Sequence, residues 1–165
     1  MTRLFGLLVG VVLLSGCGPQ AQFRADQNTP NGWVLGDTLR FSIEQPIAAP
    51  ATIYLHLRNN NTYPFSNIFL RINRIENDSL VAADTLEYAM ATPSGEWLGT
   101  GFSSVKESKL EWESGWTPQG PPPYVIEIAQ ANRASYQING DERLPGIVSV
   151  GVSVEYQKES WENEK

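Results

Sequence analysis

One cysteine and one histidine in 165 residues bound the chemistry open to this chain. Cys17 holds the only thiol and His56 the only imidazole. A zinc site of several histidines is therefore excluded, and no intrachain disulfide can form. His56 lies in Ile53-Tyr54-Leu55-His56-Leu57, on the face opposite the aliphatic residues, and reads as an outward-facing surface histidine. Carboxylates are plentiful, at Asp37, Asp84, Glu87, Glu96, Glu107, Glu111 and Glu113. A pair of them across a cleft would suit glycoside hydrolysis, but solvated strand faces account for them without a cleft. Glu76-Asn77-Asp78 offers oxygen ligands for calcium at no spacing specific to that ion, and reads as a turn. No Gly-x-Ser-x-Gly elbow, phosphate loop or dinucleotide fingerprint occurs. The expectation is a protein with no catalytic residue, no metal and no small-molecule substrate.

Cys17 has a different role, set by its position. One early charge (Arg3), an apolar run from Leu4 to Leu14 and Leu14-Ser15-Gly16 precede it. That order is a secretory signal, residues 1–16, too short to span a bilayer as a mature helix. Export leads to an oxidising compartment, where a lone cysteine needs an explanation, and the signal boundary selects modification. The run Leu-Ser-Gly-Cys resembles a bacterial lipobox. The resemblance implies a thioether-linked diacylglycerol and an N-acyl chain on Cys17, with no separable cofactor. Each buried CH₂ contributes about 0.8 kcal/mol, and two or three chains hold a protein on a membrane where one does so only marginally. No later stretch approaches the ~20 apolar residues of a spanning helix.

Such an anchor must carry a folded domain. Cleavage after residue 16 leaves 149 residues and, with Arg3 gone, 11 basic against 18 acidic side chains. The length suits one domain, and the acidity argues against nucleic acid and against a polybasic membrane contact. Residues 17–31 are polar, with Pro19 and Pro30, and read as a tether; residues 32–156 form the domain and 157–165 a charged tail. Within the domain the period is two. Leu39, Phe41 and Ile43 alternate with Arg40, Ser42 and Glu44, and Ile53, Leu55 and Leu57 with Tyr54, His56 and Arg58. Ile68, Leu70 and Ile72 alternate with Phe69, Arg71 and Asn73, and Tyr124, Ile126 and Ile128 with Val125, Glu127 and Ala129. Val148 to Tyr156 is the longest clean alternation, and weaker strands cover Leu80–Tyr88 and Val105–Trp112. Asn, Asp, Pro and Gly clusters punctuate these runs, and PQGPPP at 118–123 excludes helix and central strand. The pattern predicts an all-β fold, an antiparallel two-sheet β-sandwich of about seven to eight strands. One short helix is conceivable over 129–137.

Five tryptophans, Trp33, Trp97, Trp112, Trp116 and Trp161, offer an alternative role. Exposed tryptophans can stack sugars, so a carbohydrate-binding sandwich lipoprotein is the competing reading, against core filling. Trp97 reads as core, whereas Trp112 and Trp116 flank a presumed turn and are candidates for exposure.

The run His56-Leu57-Arg58-Asn59-Asn60-Asn61-Thr62-Tyr63-Pro64-Phe65-Ser66-Asn67 resembles the core of the gliding-motility lipoprotein GldH family of Bacteroidota. Asp37–Phe41, Asp84–Tyr88, Ser94–Gly101 and Gly146–Val152 resemble further family segments in the family's order. Departures are Glu96 and Ser149, where the family carries Arg and Asp, and the proline-rich 118–123 loop. The resemblance implies a non-catalytic envelope lipoprotein required for gliding motility. It would act as a scaffold or stabilising subunit beside other gliding and type IX secretion proteins. Gly18-Pro19-Gln20-Ala21-Gln22 contains no acidic run that would direct surface display, so the expected place is the outer membrane, facing the periplasm. Asn59, Asn60, Asn61, Tyr63, Pro64, Phe65 and Asn67 read either as loop architecture or as a partner-docking surface. Three Asp-(Ser/Thr)-Leu runs, at Asp37, Asp78 and Asp84, resemble an O-glycosylation acceptor of exported Bacteroidota proteins. Ser79 is the best placed of these, although turn and strand-opening chemistry explains all three.

Overall fold

The computed structural model of the protein describes residues 21–132 and 143–156. Among the described residues are ten strands and no helix. They are β1 (Ala21–Asn28), β2 (Trp33–Val34), β3 (Thr38–Ile43), β4 (Ala51–Asn59) and β5 (Asn67–Glu76). Then follow β6 (Ser79–Ala89), β7 (Lys106–Trp116), β8 (Tyr124–Gln130), β9 (Arg143–Leu144) and β10 (Ile147–Tyr156). All pairings are antiparallel. One four-stranded sheet runs β1-β10-β4-β7, the other β3-β8-β5-β6, and β2 pairs with β9 in a short ribbon. The all-β sandwich is therefore the fold.

The period-two runs explain the core. Ile53, Leu55 and Leu57 of β4 and Val150, Val152 and Val154 of β10 are wholly buried from one sheet. Ile68, Leu70 and Ile72 of β5 and Ile126 and Ile128 of β8 meet them from the other. Burying each such side chain contributes about 1.5–3 kcal/mol, and a one-residue slip would turn each set to solvent. Side chains close both open edges. Gln27 Nε2 donates to Arg40 O at 2.7 Å between β1 and β3. Tyr88 OH donates to Glu111 O at 3.1 Å and Trp112 Nε1 to Asp84 at 2.9 Å between β6 and β7.

Several expectations need correction. The tether expected over 17–31 is wrong for most of its length, because Ala21–Asn28 is the edge strand β1, in register with β10 from Glu155 to Ser149. Phe23 and Ala25 turn inward against the core, while the polar residues between them suit a solvent-facing edge. The domain thus starts at about residue 21, not 32. Of the helix considered for 129–137, Ala129 and Gln130 belong to β8, and residues 133–137 lie outside the described residues, as does the 157–165 tail. Trp112 and Trp116 flank no turn: both sit in β7. Register shifts against β4 occur there, with Gly115 at φ 78° left over between Ser114 and Trp116. That bulge turns Trp116 inward, where it is 2% exposed.

Candidate functional site

The Asn59–Asn67 segment joins β4 to β5 at one end of the sandwich, and most of it is held from within. Asn59 and Tyr63 are buried. Asn60 N donates to Gly146 O at 2.8 Å, and Asn60 Oδ1 accepts from Thr62 N at 2.9 Å and Thr62 Oγ1 at 2.7 Å, an Asx turn. Tyr63 OH donates to Asn67 O at 2.7 Å, and Asn67 Nδ2 donates to Glu87. The Tyr63 ring packs edge-on against Phe65 at 5.8 Å and against Trp97 at 6.2 Å. Trp97 Nε1 donates to Asn61 Oδ1 at 3.1 Å. Of the seven residues expected to dock a partner, Asn59 and Tyr63 therefore shape the loop, and the exposed part is Asn61 and Pro64 with half-buried Phe65. Gly146, at φ 79°, makes this packing possible, since a Cβ there would sit 2.6 Å from Tyr63 Cα.

His56 is the clearest departure from expectation. It does lie on the outer face of its sheet, yet it is 2% exposed, because side chains from three neighbouring strands close over it. Arg24 Nη1 of β1 lies 3.0 Å from Nδ1, Glu107 Oε1 of β7 3.2 Å from the same atom, and Ser153 Oγ of β10 2.8 Å from Nε2. A guanidinium can only donate. The neutral ring accepts from Arg24 at Nδ1 and donates from Nε2 to Ser153, leaving Glu107 to Arg24 Nη2 at 3.0 Å; only the protonated ring donates from Nδ1 to Glu107. Burial first, and the Arg24 charge second, push the imidazole below its ordinary pKa. Burial alone would raise the Glu107 carboxyl, but Arg24 and then His56 hold it below the usual range. Beside them Lys109 Nζ reaches both Glu155 oxygens at 2.7 Å and lies 4.0 Å from the Tyr54 ring centroid.

A cleft of about 560 Å³ runs along Arg24, His56, Glu107, Lys109 and Glu155 toward Leu98–Thr100. A glycosidase acid needs a raised pKa, whereas the Glu107 carboxyl is lowered; Glu155 is the ion-pair partner of Lys109. Sequence reasoning missed this cluster. Its one local signal was the Arg24-x-Asp26 alternation in β1, read as tether.

A second polar group closes the opposite end. Glu76, at the end of β5, is 2% exposed. Its carboxylate accepts from Trp116 Nε1 at 2.9 Å and from Gln119 N at 2.7 Å. Arg74 Nε lies 2.9 Å from it as an ion pair, out of line for a hydrogen bond. The guanidinium also pairs with Glu113 and lies over the Trp116 ring. The Glu76 carboxylate is thus occupied by Trp116, Gln119 and Arg74. Asn77 (φ 49°) and Asp78 (φ 58°) form the two-residue β5–β6 hairpin loop, which accounts for Asp78-Ser79-Leu80, and Ser79 is exposed beside it. No described tryptophan offers an exposed sugar platform: Trp33 and Trp116 are buried, and Trp97 and Trp112 are partly buried against the core.

Cys17 lies outside the described residues, four positions before β1. Residues 22–154 match the family model described as GldH lipoprotein. The chain is 34% identical over 152 residues to the gliding motility lipoprotein GldH of Flavobacterium johnsoniae, covering 90% of this chain and 93% of the relative. It is 31% identical over 153 residues to the gliding motility lipoprotein GldH homolog of Christiangramia forsetii, covering 92% and 94%. Among solved structures, Eiger TNF from S. frugiperda is 12% identical with a TM-score of 0.28, over 88% of this chain and 100% of that one. A score so low adds nothing to the fold. The strands that the model matches, β1 to β10, are the whole described sandwich, and on that match the chain belongs to the GldH lipoprotein family.

Proposed function

We propose that this protein is a non-catalytic subunit of the gliding apparatus, held by acyl chains on Cys17 in the outer membrane with its sandwich in the periplasm. There it acts as a scaffold for other gliding or type IX secretion envelope proteins. The observation that carries the reading is the match to relatives named gliding motility lipoproteins across about nine-tenths of the chain. Two further features support it. The ionisable groups of the His56 cluster engage one another, Arg24 with Glu107 at 3.0 Å and Lys109 with Glu155 at 2.7 Å. The loop at Asn61–Phe65 presents a small rigid surface, of the kind that docks partners on a stable scaffold. Crosslinked pull-down from native envelopes, with wild type and Cys17→Ala in parallel, tests the reading. Wild type should recover gliding or secretion proteins. Cys17→Ala should lose membrane fractionation and gliding while the sandwich stays folded. A Cys17→Ala strain that still glides and still fractionates with membranes would overturn the anchoring role.

A further inference from the structure

We infer that the sandwich stands end-on on its membrane, with the end that begins β1 resting against the lipid headgroups and the Asn59–Asn67 end pointing away. The inference rests on acylation of Cys17. Three residues, 18–20, separate that cysteine from Ala21. At no more than about 3.6 Å per residue, Cys17 and Ala21 lie at most about 14 Å apart. The start of β1 cannot peel away to lengthen this reach, because it is fastened on both sides. Ala21 pairs with Glu155 of β10. Gln22 Nε2 donates to Ala48 O at 2.9 Å, Ala48 N donates to Gln22 Oε1 at 2.7 Å, and Gln45 Nε2 donates to Gln22 O at 3.1 Å. A polar edge strand carrying its own loop clamp is a rigid base, and the anchor leaves directly from it.

The surface at this end suits a lipid headgroup layer. The strand pairings bring together here the loop after β3, the Asn77-Asp78 hairpin, the Thr117–Pro123 segment and Tyr156. Tyr156, Leu80 and Val81 are 56%, 60% and 43% exposed, and single aromatic and aliphatic side chains of this kind settle at the interface. Among the described residues of these segments no exposed Lys or Arg occurs. The described contact is therefore made by apolar side chains and the acyl anchor, and the exposed charges beside them, Glu44 and Asp78, offer no attraction to anionic lipid. β10 spans ten residues from Ile147 to Tyr156, about 30 Å at 3.3 Å per residue. The Asn61–Phe65 surface and the fully exposed Phe102 are carried that far from the bilayer, where an envelope partner can reach them.

The test uses full-length acylated protein in phosphatidylethanolamine and phosphatidylglycerol vesicles that contain a headgroup nitroxide lipid. Fluorophores are attached at Thr117→Cys, near the base, and at Ser104→Cys, near the far end, since Cys17 is blocked by its acyl chains. The label at 117 should be quenched several-fold more than the label at 104, and more phosphatidylglycerol should change neither. A twelve-residue Gly/Ser insertion after Gln20, which adds about 20 Å of flexible reach, should erase the difference while the protein still floats with vesicles. Acylated, floating protein with equal quenching at the two sites, or stronger quenching at 104, overturns the end-on placement alone. Protein that lacks the acyl mass and fails to float overturns the anchoring reading on which it rests.

Discussion

Removing the Glu76 carboxylate should be among the most damaging single changes in the sandwich. Glu76 is 2% exposed and satisfies three groups at once: Trp116 Nε1, Gln119 N and the Arg74 guanidinium. In Glu76→Ala the two N–H donors lose their acceptor, and Arg74, itself 9% exposed, keeps Glu113 and the Trp116 ring. Breaking a buried pair by deleting one partner costs about 3–5 kcal/mol, mostly through the charge left unpaired. At about 2–4 °C per kcal/mol for a chain near this size, Tm should fall by about 10 °C. Glu76→Gln keeps the shape but turns an amide NH₂ toward one of the donors, so its loss should be intermediate. The double variant Arg74→Met/Glu76→Met removes both charges together and should be less destabilised than the sum of its singles, by about 0.5–3 kcal/mol. Urea and thermal unfolding of the detergent-solubilised lipoprotein, followed by intrinsic tryptophan fluorescence, reads all of these. A loss below about 1 kcal/mol for Glu76→Ala would refute the reasoning, as would a double variant no better than additive.

The His56 cluster makes stability depend on pH with a definite sign. The folded imidazole is held below its ordinary 6.5, so the unfolded chain binds more protons between that lowered value and 6.5. Stability is complete above 6.5 and falls as pH drops toward the folded pKa. His56→Gln, whose amide can serve both Ser153 and Arg24, should flatten that step in urea midpoints measured across pH. The lowered Glu107 carboxyl adds a separate loss that begins below about 4.5, and Glu107→Gln should remove it. Gly146→Ala combines a left-handed backbone with a collision against Tyr63 and should cost about 2–4 kcal/mol, read as a lower urea midpoint. Gln22→Ala removes two hydrogen bonds to Ala48 and should cost about 1–2 kcal/mol. It should speed hydrogen exchange at β1 while leaving β10 protected against β4.

The sequence by itself determined what depends on local patterning. Period-two alternation is imposed by the strand geometry that puts successive side chains on opposite faces. Leu39–Ile43, Ile53–Leu57, Ile68–Ile72, Tyr124–Ile128 and Val148–Tyr156 therefore announced their strands and the inward face of each. The ordered family segments from Asp37 to Val152 were also legible, because they are short linear patterns. Tertiary structure alone decided the rest. β1 holds only two inward apolar residues, Phe23 and Ala25, too few to distinguish it from a linker until β10 supplies its hydrogen bonds. His56 occupies the outward face its alternation predicted, yet it is buried, since Arg24, Glu107 and Ser153 arrive from positions as far apart as 24 and 153. Glu76 likewise has a turn-like sequence neighbourhood and a buried site, because Trp116 reaches it from the other sheet. Burial of a polar side chain depends on which distant residues close over it, and no short window of sequence contains them.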